Sequence, residues 1–274
     1  MTAATLRHLQ GVEMRGTILS VFVFASMLLL SAVANAQTTD RPECTSAILN
    51  GSYGVLHDGV VFGAAGHLAE VAVVKFDGKG HWTLDATLVR QDSGLGHTSA
   101  RDATYTVNPD CTGSAELHGS ETFTLDFVVL DGGQELLQLA TRPDRVVTWE
   151  VRKQNLATCT NATLNGRYGV LQTGFDVAGN ARGGVGLITF DGKGMWSLTL
   201  TEAGKDVPIR RIKNPKGSYT VNADCRGSAS LENTPFGTAN WEFVIVGDGN
   251  KVFQIATTPH RGAVMWVLKK QFSR

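Results

Sequence analysis

The chain has 274 residues, a formal net charge of zero and four cysteines. A neutral chain in which basic and aromatic residues do not interleave does not have the composition of a nucleic-acid-binding protein. Its length is sufficient for two ordinary domains.

The first element in chain order is an export signal. Met14-Arg15 precedes an apolar run from Ile18 to Val33, and Ala34-Asn35-Ala36 fits a small-residue cleavage site. We expect a signal peptide over residues 1–36, an extension over 37–43, and a mature chain that is secreted or periplasmic. The alternative is an uncleaved membrane anchor, for which the run is borderline in length. No later stretch is apolar enough to predict a transmembrane segment.

The mature chain contains one module twice. Phe76-Asp-Gly-Lys-Gly-His-Trp82 returns as Phe190-Asp-Gly-Lys-Gly-Met-Trp196, and Cys44–Leu56 matches Cys159–Leu171. The offset between matching residues stays nearly constant, so the repeat consists of two complete modules and not of a short-period solenoid. The predicted modules are residues 44–154 and 155–274.

The two modules carry opposite charges. Residues 44–154 contain 8 Lys/Arg and 14 Asp/Glu, a balance of −6, and residues 155–274 contain 14 and 8, a balance of +6. Opposite charges on a short linker favour association, so we expect module 1 to pack on module 2. The densest basic segment, Lys205–Lys216, is predicted to lie at or near that contact, chiefly through Arg210, Arg211 and Lys213. The alternatives are a solvated loop and a surface for an anionic partner.

Inside each module the hydrophobic period is two. Trp82, Leu84, Ala86 and Leu88 alternate with polar residues, which is typical of half-buried antiparallel strands. The Asp-Gly pair of the repeated phrase predicts a tight hairpin. Module 1 divides into about eight such runs, so the predicted fold is all-β, with two tandem antiparallel up-and-down barrels. Two β-sandwiches are the alternative.

The duplication also selects a disulfide pairing. Four cysteines allow three pairings, but each module has one cysteine near its start and one in its middle. We therefore predict Cys44–Cys111 and Cys159–Cys225, as expected for an exported protein.

Aromatic residues occupy candidate inward positions of both modules. An eight-stranded barrel has an interior that is either filled by side chains or able to hold one small ligand. The candidate ligand-binding residues are Tyr53, Trp82, Tyr105, Phe123, Phe127, Trp149, Tyr168, Trp196, Tyr219, Trp241 and Trp266.

Two family patterns accompany these strands. Gly51-Ser52-Tyr53 with Arg152, and Gly166-Arg167-Tyr168 with Lys269, resemble the lipocalin/calycin pattern, in which a basic residue of the last strand packs across an aromatic ring of the first. Tyr replaces the family's Trp, and Lys269 replaces its Arg. The fuller pattern of both modules resembles a group of uncharacterised exported bacterial β-barrel proteins with tandem repeats. That resemblance implies a calycin-like fold and export, but no activity.

The remaining motifs point to no chemistry. The chain has no Gly-x-Ser-x-Gly elbow, His-Glu-x-x-His, phosphate loop or dinucleotide fingerprint. The histidines of module 1, which are His57, His67, His81, His97 and His118, are interpreted as polar surface residues, with a zinc or copper site as the alternative. We predict no catalytic residues, no metal and no cofactor.

Three functions remain open on these grounds. The favoured hypothesis is an exported, non-enzymatic protein of two barrels that binds a small apolar ligand. The second is a structural or interaction module of the cell envelope with filled barrels. The third is a cofactor-independent cyclase or isomerase.

Overall fold

The computed structural model describes residues 43–63, 66–118, 122–205, 207–234, 237–258 and 262–272. The expected signal peptide lies outside the described residues. Within those ranges no helix is long and apolar enough to span a membrane.

Sixteen antiparallel strands form two closed barrels. Barrel 1 consists of β1 (Asn50–Val61), β2 (Gly66–Asp77), β3 (His81–Arg90), β4 (Gly94–Val107), β5 (Thr112–Leu117), β6 (Phe123–Leu130), β7 (Glu135–Ala140) and β8 (Arg145–Lys153). Barrel 2 consists of β9 (Asn165–Phe175), β10 (Ala181–Asp191), β11 (Met195–Gly204), β12 (Val207–Val221), β13 (Arg226–Thr234), β14 (Gly237–Val246), β15 (Lys251–Ala256) and β16 (Val264–Lys270). The described residues also include three short 3-10 helices, at Ser46–Ile48, Asp131–Gly133 and Asn161–Thr163. The prediction of two tandem up-and-down barrels is confirmed, and the sandwich alternative is wrong because β1 pairs with β8 and β9 with β16.

The repeated Asp-Gly phrase forms the hairpin between β2 and β3. The Asp77 carboxylate accepts hydrogen bonds from the backbone N–H groups of Lys79, at 2.7 Å, and His81, at 3.0 Å. These bonds lower the pKa of Asp77. Gly78 has a φ of 73°, in the left-handed region that favours glycine. Asp191 makes the same two bonds in barrel 2, so this turn sets the strand register at the same place in both barrels.

Each barrel is closed at the end where this hairpin lies. The hydroxyl group of Tyr105 donates to the carbonyl groups of Ser46 and Leu49, both at 3.0 Å, and that of Tyr53 donates to Gly133 at 2.8 Å. Burial raises the pKa of Tyr53 to about 12, so the phenol remains a donor. Tyr168 and Tyr219 repeat these bonds in barrel 2.

The two disulfides fasten the same closed ends. The predicted pairing is confirmed, with Cys44 joined to Cys111 and Cys159 joined to Cys225. Each bridge ties the segment that precedes a barrel to the turn between its fourth and fifth strands.

In each barrel a basic residue of the last strand lies over the tyrosine ring of the first strand. That basic residue is one position later in the last strand than the calycin pattern implied. Arg152 pairs with Gly54, the neighbour of Tyr53, and successive side chains of a strand point to opposite faces. Lys269 is displaced from Tyr168 in the same way. The lysines that lie over the rings, each with Nζ at 5.7 Å from the ring centroid, are Lys153 over Tyr53 and Lys270 over Tyr168.

The basic segment Lys205–Lys216 is mostly strand and not a loop between strands. β12 begins at Val207 and runs on into the strand of Tyr219. The register between β11 and β12 shifts between Ser197 and Thr199, and Asn214 has a φ of 53°. This bulge accommodates Pro215, which has no N–H to donate to a regular ladder.

The barrels pack against each other through an apolar cluster. The outer faces of β1, β2 and β3 contact those of β14 and β15, near the start of β16. Gly54 permits this approach, because a Cβ there would overlap Val244 and Val246. The buried members of the cluster are Leu56, Ala69, Val71, Val73 and Val89 of barrel 1 with Val244, Val246, Phe253, Ile255, Ala263 and Met265 of barrel 2.

Opposite charges meet around this cluster, as the charge balance predicted. Lys251 of barrel 2 forms an ion pair with Glu150 of barrel 1. Arg226 of barrel 2 lies 2.9 Å from the carboxylate of Asp85. The expected general arrangement is therefore present, but other residues supply it.

The predicted interface residues do not lie at this contact. Arg210, Arg211 and Lys213 are exposed on β12, whereas the contact is made by β14 and β15. Arg210 instead forms a bidentate pair with Glu202 of its own barrel, with its Nε at 2.9 Å and its Nη2 at 2.6 Å from the same oxygen. The reason is that β12 follows β11, on another side of barrel 2.

Each disulfide should stabilise mainly its own barrel. Replacing Cys44 and Cys111 by serine removes a cross-link between residues 67 apart in sequence, which should lower the stability of barrel 1 by about 4 kcal/mol in the chain-entropy model. Native-state hydrogen exchange with mass spectrometry resolves the two barrels. The double replacement of Cys159 and Cys225 is the control and should increase exchange chiefly in barrel 2. Equal loss of protection in both barrels from either variant would contradict this assignment.

The contact between the barrels should depend on the absence of a side chain at position 54, where the residue is glycine. Gly54→Val places methyl groups where Val244 and Val246 pack, so the barrels should separate while each remains folded. Small-angle scattering should then show a larger radius of gyration. Gly169→Val is the matched control, because at this duplicated position the nearest atom to a new Cβ is 3.8 Å away. If Gly54→Val in dilute solution has the same radius of gyration as the wild type, this contact does not hold the barrels together.

Candidate functional site

The interior of barrel 1 contains a group of four polar side chains, here called the inner polar cluster. It consists of His57, Glu70, Gln138 and Trp149, and all four are buried. Strand register brings them together, because His57 pairs with Glu70 on β2 and with Trp149 on β8, and Trp149 pairs with Gln138 on β7. Directly paired residues of antiparallel strands point to the same side of the sheet.

His57 is at the centre of this cluster. Its Nδ1 lies 3.4 Å from the Oε2 of Glu70, and the two side chains are 5% and 7% exposed. Its ring lies 5.1 Å from the ring of Trp149, tilted by 41°. Trp149 also contacts Phe123 and Trp82, with ring centroids at 6.2 Å and 6.4 Å. The cluster therefore combines an acid-base pair with an aromatic wall.

The polar atoms of the cluster are not satisfied by the protein itself. Within the described ranges no hydrogen-bond partner is present for Nδ1 and Nε2 of His57, Oε1 of Glu70, Oε1 of Gln138 and Nε1 of Trp149. Each buried group left without a partner costs about 1–3 kcal/mol, and native proteins contain few of them. Apart from the 3.4 Å contact of His57 Nδ1 with Oε2 of Glu70, the described residues supply no partners for these atoms, and water or a bound molecule would satisfy them.

Barrel 2 replaces this cluster by a different set. Gln172 takes the place of His57, and Gly184, which pairs with Gln172, takes the place of Glu70. The buried acid is now Glu202 on β11. Its carboxylate accepts a hydrogen bond from Nε2 of Gln172 at 3.3 Å and the bidentate bond from Arg210. Both oxygens of the Glu202 carboxylate are therefore hydrogen-bonded within the chain, whereas Oε1 of Glu70 has no partner among the described residues.

The predicted aromatic residues all lie inside the barrels, mostly as packed core. The four tyrosines bond to backbone carbonyls at the closed ends, as described above. In barrel 2, Trp196, Trp241 and Trp266 line a cavity of about 10 Å³. That volume holds about one water molecule, far below the several hundred cubic ångströms of an ordinary ligand pocket. This cavity of barrel 2 is therefore too small for an ordinary ligand.

The interpretation of all five histidines as surface residues is wrong for His57, which is 4% exposed. The alternation Tyr53, Val55, His57 along β1 indicated that this ring points inward, since the first two residues are core. The pairing with Glu70 was missed because it depends on the register of β1 with β2. His81, in contrast, is exposed on the barrel surface.

In the described part of the chain, no group of three or more His, Cys, Asp or Glu side chains could hold a metal ion. The inner polar cluster contributes two potential ligands, His57 and Glu70, and its other members are an amide and an indole.

Comparison with known proteins assigns no family. No protein-family model and no curated protein matches the chain. Among solved structures, the chain is similar to kievitone hydratase from Nectria haematococca, with 8% identity over 85% of this chain and 95% of that one and a TM-score of 0.28. It is also similar to a protein of unknown function of the DUF3598 family from Nostoc punctiforme, with 8% identity, 84% and 100% coverage and a TM-score of 0.25.

A third similar structure is the isotype 1 transferrin-binding protein B from serogroup B Neisseria meningitidis, with 10% identity, 81% and 76% coverage and a TM-score of 0.27. At these identities and TM-scores the likenesses carry no argument about the function of this chain.

The inner polar cluster should reduce stability. Replacing His57 and Glu70 together by leucine removes two desolvated, poorly paired groups, so the free energy of unfolding should rise by about 1–4 kcal/mol. Urea unfolding followed by tryptophan fluorescence measures this change. The control is Glu202→Leu, which removes a paired carboxylate and should lower stability by about 1–3 kcal/mol. A lower stability of the double leucine variant would mean that the His57–Glu70 pair supports the fold.

Proposed function

We propose that the chain is an exported, non-enzymatic protein that binds a small, largely apolar molecule with one hydrogen-bonding group inside barrel 1. The observation that carries the proposal is the inner polar cluster, in which five buried polar atoms make no hydrogen bond to the described part of the chain. The apolar body of the molecule would lie against Trp149 and Phe123, and its polar group would meet His57 and Glu70.

Three features support export and different roles for the two barrels. The N-terminal signal pattern, with cleavage after Ala36, directs the chain out of the cytoplasm. Two disulfides are typical of an oxidising environment. Barrel 2, with its 10 Å³ cavity and its paired Glu202, has the character of a filled scaffold.

The unpartnered donors and acceptors also define the ligand. Gln138 and Glu70 offer carbonyl-type oxygens, Trp149 offers an N–H, and His57 can do either. A hydroxyl, amide or carbonyl group on an aromatic or isoprenoid body complements this set. A site that hydrogen-bonds its ligand discriminates strongly against analogues that lack the polar group.

Native mass spectrometry of freshly purified protein, followed by calorimetric titration with fatty acids, isoprenoids and phenolic dyes, tests this proposal. We expect a ligand of one of these classes to bind in a one-to-one ratio. Glu70→Gln and His57→Gln should each weaken binding about tenfold, the value of one or two hydrogen bonds.

The duplicated position supplies the control. Gln172→Leu alters the residue of barrel 2 that corresponds to His57 and should leave binding unchanged. Equal losses from Gln172→Leu and His57→Gln would place the ligand elsewhere. No co-purified molecule and no binding to any member of the panel would overturn the proposal and favour an envelope module with filled barrels.

A cofactor-independent isomerase or cyclase is the second candidate. The specific observation in its favour is the His57–Glu70 pair, at 3.4 Å inside an aromatic interior, since such a pair can take and return a proton. The recovered ligand decides between the two, because a binding protein returns it unchanged and an enzyme converts it. For an enzyme, His57→Gln would abolish conversion even at saturating ligand.

A further inference from the structure

The contact between the barrels joins two different surfaces. Barrel 1 contributes the outer surface of β1, β2 and β3, with Leu56 and Val71, here called the leading face. Barrel 2 contributes the outer surface of β14 and β15, with Val244 and Phe253, here called the trailing face. A contact of this kind is heterologous, since it does not place the same surface on both partners.

Because the chain is duplicated, each barrel has a leading face and a trailing face. The contact between the barrels uses one leading and one trailing face, so one leading face and one trailing face have no partner within the described part of the chain. The free leading face belongs to barrel 2, where Leu171 and Val185 correspond to Leu56 and Val71. The free trailing face belongs to barrel 1, where Leu137 and Leu139 correspond to Phe253 and Ile255. The correspondence holds in the register, since Leu56 pairs with Val71 and Leu171 with Val185.

These counterparts have kept their apolar character while being exposed. Leu171 and Val185 are 55% and 64% exposed, and Leu137 and Leu139 are 47% and 45% exposed. A groove of about 580 Å³ lies over the free trailing face, lined in part by Val128, Leu137 and Leu139. Apolar residues that are neighbours on a sheet surface mark an interaction site more often than scattered ones do.

We propose that the partner of these faces is a second copy of this chain, with the free leading face of barrel 2 seated on the free trailing face of barrel 1 of the next copy. The chain already contains one example of this contact, between its own two barrels. The intermolecular contact would repeat the same arrangement with the counterpart residues.

A polar contact at the edge of the known interface has its counterparts in place. Thr87 of the leading face donates to the Glu242 carboxylate at 2.6 Å and lies 3.2 Å from Nδ1 of His97. The corresponding residues are Thr201 on the free leading face and Asp126 beside the free trailing face. Arg211, which pairs with Thr201 in the register, stands where His97 stands in barrel 1.

This arrangement gives the basic segment a role. Arg211 and Lys213 flank the free leading face on the side where Asp126 of the next copy would lie. The acidic module, with a balance of −6, and the basic module, with +6, would alternate along the assembly. Complementary charge of this kind orients association and suppresses wrong pairings.

Repetition of a heterologous contact produces a ring if the rotation closes and an open row if it does not. Within the chain, Gly54 near the closed end of barrel 1 meets Val246 near the closed end of barrel 2, and His67 stacks on Phe175 at the opposite ends.

Sedimentation velocity over a wide concentration range tests the proposal. The wild-type protein should form species heavier than one chain. Val185→Glu disables the leading face and Leu137→Glu disables the trailing face, and each should weaken self-association about a hundredfold, because a desolvated unpaired charge is costly. An equimolar mixture of the two variants should form a complex of two chains and nothing larger, since each variant retains the face that the other lacks.

Three results would overturn the proposal. They are a wild type that stays a single chain at all concentrations, loss of association from only one variant, and a mixture that fails to pair. Met195→Glu is the control for a new charge at an exposed apolar residue, 49% exposed at the β10–β11 hairpin, and should associate like the wild type. Thermal unfolding of every variant checks that the barrels are intact.

A charge exchange provides an independent measurement. Arg211→Glu and Asp126→Arg should each weaken association, and the double variant should recover it, because the pair is restored with opposite polarity. If the double variant does not recover association, Arg211 and Asp126 do not meet at the contact. The register on which the proposal depends is then wrong.

Discussion

Strand register is the constraint on which the rest of this structure depends. In β1 the inward side chains include Tyr53 and His57, and the outward positions include Gly54 and Leu56. A slip of one residue would exchange the two sets. It would place Leu56 in the barrel and His57 on the barrel contact, and both the inner polar cluster and the packing of the two barrels would be lost. The Asp77 hairpin, the tyrosine hydroxyls and the disulfides all act at the closed end, where they hold this register.

Duplication makes the two barrels internal controls for each other. Their closed ends are nearly identical in chemistry, down to the bonds of Tyr53 and Tyr168 with backbone carbonyls. They differ further along the same strands, where barrel 1 has a buried acid whose other oxygen lacks a partner and barrel 2 has a buried acid held by Arg210. Natural proteins break local rules mainly at functional sites. This difference between the barrels is the basis for the proposal that barrel 1 holds the ligand.

The opposite charges of the modules act through a few residues and not through the densest basic segment. Lys251 and Arg226 meet Glu150 and Asp85 around an apolar cluster. The apolar area supplies most of the stabilisation, since the exposed pair of Arg226 with Asp85 is worth little and the burial of Lys251 offsets much of its attraction to Glu150. The charges contribute orientation. The total charge of a module therefore predicts that two surfaces attract, whereas the position of each residue on the barrel decides which of them touch.

The sequence by itself determined the strands, the duplication, the disulfide pairing and the aromatic core. Each of these depends on local patterns, such as a period of two, an Asp-Gly turn and one early and one central cysteine in each module. The pairing of His57 with Glu70 and Trp149 depended on the β1–β2 register and on the closure of β1 against β8, which joins residues far apart in the chain. The strand at Lys205–Lys216 required a bulge that accepts Pro215. Which outer face meets the other barrel was decided only by the tertiary structure, because Leu56 and its counterpart Leu171 both follow Tyr-Gly-Val, and yet Leu56 is buried at the contact and Leu171 is exposed.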